Sequence, residues 1–226
     1  ASDVYKRQEW GCVWEKILEK TMGQVINCPI ADWDDYESYS FPEIALEERF
    51  EGLEEKVRAI KEGEKKYVIG SLGLLFHRLH CLRGMDNVFI DLYDPERYEK
   101  LGELSDRIVD FHIATIEAYA DCGVDCVAFG DDWGCQDRML INPAKWREFF
   151  KGRYKRIFDI AHERGLHVYM HCCGYIFDII GDLIEIGVDV LNLDQPMLMG
   201  IDRLSDFFGG KICFCCPVDI QQVLPR

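Results

Sequence analysis

The run HVYMHCCG (167–174) ends in a histidine and two adjacent cysteines. Side chains alternate along an extended strand, so His171 and Cys173 share one face and Cys172 points to the other. An imidazole nitrogen beside a thiolate sulfur is half of a mixed N/S metal site. Zinc takes such a set readily and needs one or two more donors, with a coordination position left for substrate. A buried thiol pair beside a histidine satisfied by backbone carbonyls is the alternative, and spacing alone leaves both open. The later run KICFCCPVD (211–219) adds Cys213, Cys215 and Cys216. Cys216 is the expected further metal ligand, with Cys215 as its alternative, since nothing in the spacing selects between them.

Carboxylates stand at neighbouring positions. VDCVAFGDD (124–132) ends in Asp131 and Asp132. Adjacent residues point to opposite sides of a strand, so one faces the mouth of the site and the other the surrounding loops. The inward one can bind metal, orient substrate or act as a general acid, and both are catalytic candidates. Capping of the loop WGCQ by backbone N–H bonds is their structural use. Asp194 and Gln195 hold the same level on the next apolar run, and Asp219 follows the last one; these three are the expected substrate-binding residues. His77, His80 and His112 fall in helical segments and read as core or surface residues.

These groups need a scaffold that places the ends of several strands together. Apolar runs near 66, 124, 166, 188 and 211 alternate with helical patterns over roughly 43–62, 74–92, 94–122, 142–164, 175–186 and 201–208. Asp94-Pro95 and Asn142-Pro143 are cap-and-first-turn pairs, while Gly123 and Gly165 stop the helices that follow them. Gly-Val-Asp recurs at 123–125 and 187–189, each time opening an apolar run. Strands alternating with helices predict a parallel sheet with crossover connections. No Gly-rich phosphate loop follows any strand, which disfavours a nucleotide-binding sheet. Polar residues gathered at the C-terminal ends of several strands predict a (β/α)8 TIM barrel. Five strands rather than eight make the chain an apparent fragment lacking strands at both ends. Residues 1–8, which lack periodicity, read as a non-native or junction segment, and 9–226 as a single incomplete barrel domain.

Composition narrows the partners. The 226 residues carry a net charge of -15, which disfavours nucleic acid and anionic membranes as ligands. No apolar stretch approaches the length of a membrane span and no leader opens the chain, so a cytoplasmic location is expected. Eleven irregularly spaced cysteines, several inside apolar runs, read as reduced thiols rather than a disulfide framework.

DDWGCQDRMLINPAKWREFF, HCCG, GVDVLN and VDIQQVLP, in that order, resemble the uroporphyrinogen decarboxylase (URO-D) superfamily, and EWGCVW also looks like one of its segments. The resemblance runs from about residue 9 to the end and implies a (β/α)8 barrel longer than this chain. It admits two chemistries. Uroporphyrinogen decarboxylases use no metal and grip a polycarboxylate porphyrinogen in porphyrin biosynthesis, with arginines and an aspartate. The corrinoid-dependent methyltransferases of the same fold carry a His-x-Cys pair plus a later cysteine as zinc ligands, and His171 and Cys173 match the pair. Their third ligand falls near the last barrel strand, so Cys215 and Cys216 do not inherit the role by alignment.

The expected function is therefore zinc-dependent methyl transfer between a small, methoxylated substrate and a corrinoid (cobalamin) carried by a partner protein. The alternative is metal-free decarboxylation of uroporphyrinogen. A third reading is a non-catalytic corrinoid or tetrapyrrole binder.

Overall fold

Three of the parallel strands are entered through a glycine in the left-handed region: Gly123 (φ 79°), Gly165 (φ 74°) and Gly187 (φ 101°). Each ends a helix where an L-residue would be strained. The structure, a computed structural model, describes residues 5–7, 9–16, 23–43, 49–73, 75–221 and 223–224. The chain divides into two compact units, one of residues 1–44 and 75–108, the other of 45–74 and 109–226.

The larger unit holds a five-stranded parallel sheet of β4 (Ile69–Ser71), β5 (Cys126–Gly130), β6 (His167–Cys172), β7 (Val190–Leu193) and β8 (Cys213–Cys215). Its order is sequential, each strand pairing with the one before it. A doubly wound sheet reverses direction at a switch point, whereas a barrel wall adds strands one way only. The described strands therefore form a barrel-like arc, and closure into eight strands stays an expectation. Val127, Val168, Met170, Leu191 and Leu193 are fully buried and form its core.

The Gly-Val-Asp repeat has a physical purpose. Asp125 accepts the N–H of Val68 at 2.8 Å, and Asp189 accepts that of Val168 at 2.7 Å. Their own N–H groups donate to the carbonyls of Val68 and Val168. Each aspartate thus ties the start of its strand to the preceding one and fixes the register.

The helical pattern over 43–62 materialises as α1 (Leu53–Ala59), continued by a π-helical turn, Ile60–Glu64; residues 44–48, with Leu46 of the expected stripe, lie outside the described residues. The pattern over 74–92 is two helices, α2 (Leu75–Arg83) and α3 (Met85–Asp91), broken at Gly84 with φ 91°. The next helix, α4 (Pro95–Asp121), starts as predicted, with Asp94 Oδ1 accepting the Glu96 N–H at 2.9 Å.

The helix α5 spans 143–163 and is capped by Asn142, but a π-helical turn, Arg147–Lys151, interrupts it. Residues four apart drift by about 40° per step on a straight α-helix. The wider turn offsets that drift, so Trp146, Phe150, Tyr154 and Phe158 all stay buried on one face. Further α-helices among the described residues are α6 (Phe177–Glu185) and α7 (Ile201–Phe208).

In the smaller unit, an antiparallel sheet joins β1 (Tyr5–Arg7), β2 (Val13–Glu15) and β3 (Gln24–Asn27). Buried Arg83 anchors this unit: its guanidinium meets Asp91 at 2.8 Å and the Ile30 carbonyl at 3.2 Å, and lies over Trp33. Among the described residues, no helix is long and apolar enough to cross a membrane.

Candidate metal centre

The C-terminal edge of the sheet is built by register. His171 on β6 stands opposite Asn192 on β7 and Gly130 on β5. Loops leaving β5 and β6 then pack backbone against backbone: Gly134 N–H donates to Cys173 O at 3.2 Å, and Tyr175 N–H to Cys135 O at 2.8 Å. A Cβ on either Gly134 or Gly174 would overlap the other loop's main chain. These two glycines therefore allow the approach that carries Asp132 to Cys173, whose N–H donates to Asp132 Oδ1 at 2.9 Å.

Three donors converge there. His171 Nε2 lies 3.3 Å from Cys173 Sγ and 3.6 Å from Asp132 Oδ1, and the three residues' ligand atoms all lie within 4.8 Å of one another. Asn192 decides which imidazole nitrogen is free. Its Nδ2 donates to the Cys215 carbonyl at 2.7 Å, which turns Oδ1 toward His171 Nδ1 at 2.6 Å. A carbonyl oxygen accepts only, so Nδ1 carries the proton and Nε2 presents its lone pair to Cys173. The Cys173 sulfur lies within hydrogen-bond reach of that lone pair, beside the Asp132 carboxylate.

Burial, then the charge of Asp132, pushes the Cys173 thiol up to about 12. A carboxylate beside a thiol disfavours a second negative charge unless a cation arrives. The donor set fits zinc: one neutral imidazole held by an outer hydrogen bond, one thiol and one carboxylate. Asp194 adds negative charge, with Oδ1 4.0 Å from His171 Nδ1.

The other expected residues separate. Asp131 is buried, and Tyr154 donates to its Oδ2 at 2.6 Å while accepting from Trp133 Nε1 at 3.2 Å. It faces the aromatic stack of α5, where the Tyr154 hydroxyl occupies one of its oxygens. Cys172 also lies on that side, buried, with Sγ accepting the Trp133 N–H. Gln195 is buried and uses Oε1 to accept the Gly174 N–H at 2.9 Å, which holds the loop. Asp219 is buried too and shapes its own turn by accepting the Gln221 N–H at 2.9 Å. Asp194, the other residue of that expected set, stands at the edge near His171.

Cys216 and Cys215 are exposed, and neither belongs to this donor group among the described residues. Cys215 Sγ instead meets the Tyr169 hydroxyl at 3.6 Å. Among the described residues the third member of the donor group is Asp132. Asn192 escaped sequence reasoning, although a lone amide inside the apolar strand VLNL signals a buried partner.

A model of the uroporphyrinogen decarboxylase (URO-D) family matches residues 15–215. No curated protein sequence matches the chain. Among solved structures, the fold is similar to a methyltransferase from Methanosarcina mazei, with a TM-score of 0.74 and 18% sequence identity. That match covers 96% of this chain and 63% of the other, so this chain spans under two thirds of the methyltransferase's length.

Proposed function

The chain belongs to the uroporphyrinogen decarboxylase family, and we propose that it works as a zinc-dependent methyltransferase, moving a methyl group from a small methoxylated substrate to a corrinoid protein. The observation that carries this reading is the convergence of His171 Nε2, Cys173 Sγ and the Asp132 carboxylate, with Asn192 holding the imidazole in the ligating tautomer. A metal-free decarboxylation site for a polyanion would use an aspartate of such a set but not its imidazole–thiol pair. It needs cations, and Arg138, the basic residue nearest in sequence to Asp132, is exposed and paired with Asp137 at 2.7 Å.

When bound, zinc would supply Lewis-acid polarisation of the heteroatom that carries the methyl group. His171 and Cys173 would hold it, the thiol giving up its proton to do so. Asp132 already directs Oδ1 to the Cys173 N–H, which fixes its carboxylate at the edge as third donor or as the group that orients substrate. The overall change balances as methyl ether plus Co(I) corrinoid plus a proton giving alcohol plus methyl-Co(III) corrinoid. Asp194, at the same strand ends, is the second carboxylate available to the substrate.

The test is methyl transfer from methoxylated compounds to Co(I) corrinoid, followed by the cobalt spectrum, using the full-length protein. The parent should transfer methyl groups, and His171→Ala and Cys173→Ala should not. Decarboxylation of uroporphyrinogen by a parent that transfers no methyl group would return the protein to the metal-free chemistry.

A further inference from the structure

The helix α2 carries a second set of donors, in the smaller unit. His77, His80 and Cys81 fall at i, i+3 and i+4, the spacing that gathers side chains on one side of a helix. Their ligand atoms all lie within 4.8 Å of one another. The two imidazoles meet edge to face with centroids 4.7 Å apart. Trp14 stacks on His77 at 5.9 Å, and Phe76 lies edge-on to His80 at 5.2 Å, so aromatic rings fix both imidazoles from outside the cluster. Cys81 is buried, while the histidines are half-buried and reach solvent. Two more thiols flank the same turn: Cys12 Sγ approaches the Cys81 carbonyl at 3.3 Å, and Cys28 Sγ the His80 carbonyl at 3.9 Å.

We propose that His77, His80 and Cys81 form a second metal site, separate from the sheet-edge donors, that takes Zn2+ with solvent at its fourth position. The donors decide the ion. Two imidazoles and a thiolate suit a borderline-soft cation, and no carboxylate belongs to the group, which excludes Ca2+ and Mg2+. Three protein ligands plus solvent complete the tetrahedron that zinc prefers. Binding releases the Cys81 proton to water, so one thiolate charge offsets half that of the ion. The paired rings supply rigidity, because His77 cannot leave without unstacking from Trp14, nor His80 without losing its edge contact with Phe76.

The experiment is zinc stoichiometry after exhaustive dialysis, on the full chain and on a His171→Ala/Cys173→Ala variant that removes the sheet-edge donors. The parent should hold two equivalents and the variant one. Adding His77→Gln and Cys81→Ser to that variant should leave none, with an unchanged circular dichroism spectrum. Cobalt(II) gives a reading that needs no further substitution: in the His171→Ala/Cys173→Ala protein it should show a thiolate charge-transfer band. A His171→Ala/Cys173→Ala protein that retains no zinc and shows no such band overturns the site. So does a retained ion that survives His77→Gln and Cys81→Ser. A parent with one equivalent, retained by the sheet-edge variant, would instead support this site and count against the proposed function.

Discussion

Replacing Asn192 by leucine removes the acceptor that pins His171 while keeping a side chain of similar volume. In the parent, Asn192 Oδ1 takes the Nδ1 proton at 2.6 Å and Nδ2 is committed to the Cys215 carbonyl at 2.7 Å. Without that pair the imidazole can exchange tautomers and turn its lone pair away from Cys173. Loss of such an outer partner costs roughly 10- to 100-fold in metal affinity, or about 1.4–2.8 kcal/mol. The assay is competition for zinc against a chromophoric chelator at fixed pH, in a His77→Ala/Cys81→Ala background so that one ion is read. Asn192→Asp keeps an acceptor for Nδ1 and should lie closer to the parent than Asn192→Leu. If the leucine variant binds zinc as tightly as the parent, Asn192 does not set the tautomer and the reading of His171 as a pre-oriented ligand is wrong.

Other consequences separate the neighbouring residues. The Cys173 thiol, held up to about 12, is protonated at neutral pH and must lose its proton to a bound ion. In the same His77→Ala/Cys81→Ala background, zinc affinity should therefore rise about tenfold per pH unit between 6.5 and 8, and calorimetry in buffers of different ionisation enthalpy should detect one proton released. Tyr154→Phe removes a buried donor from Asp131 and should cost about 1–3 kcal/mol of stability in denaturant titrations, with zinc affinity unchanged. Asp132→Asn should do the reverse, weakening zinc binding while the unfolding midpoint holds. Gly174→Ala meets the main chain of Gly134 and a φ of 77°, the latter alone worth about 1–2 kcal/mol. It should lower both stability and zinc affinity, because the loop contact that positions Asp132 is lost.

Much of the scaffold was legible because its signals are local. Asp94-Pro95 and Asn142-Pro143 mark helix starts by cap chemistry, and Gly123, Gly165 and Gly187 mark helix ends by backbone conformation. Alternation alone separated His171 and Cys173 from Cys172. What stayed hidden depends on partners distant in sequence. The choice between Asp131 and Asp132 is made by Tyr154 on one side and by the Cys173 N–H on the other. The backbone N–H groups that Gln195 and Asp219 accept cannot be read from a string of residues. Asn192 acts through strand register, which the Gly-Val-Asp ties set. The π-helical turn in α5 left no mark except aromatics four residues apart. His77 and His80 read as core or surface residues until packing brought their donors beside that of Cys81.

The most direct test of the central claim is the zinc content of the purified protein beside its single His171→Ala and Cys173→Ala variants. The parent should lose one equivalent in each variant, with the fold intact by circular dichroism. Equal zinc content in all three proteins would contradict a metal centre at the sheet edge, and with it the methyl-transfer chemistry built on it.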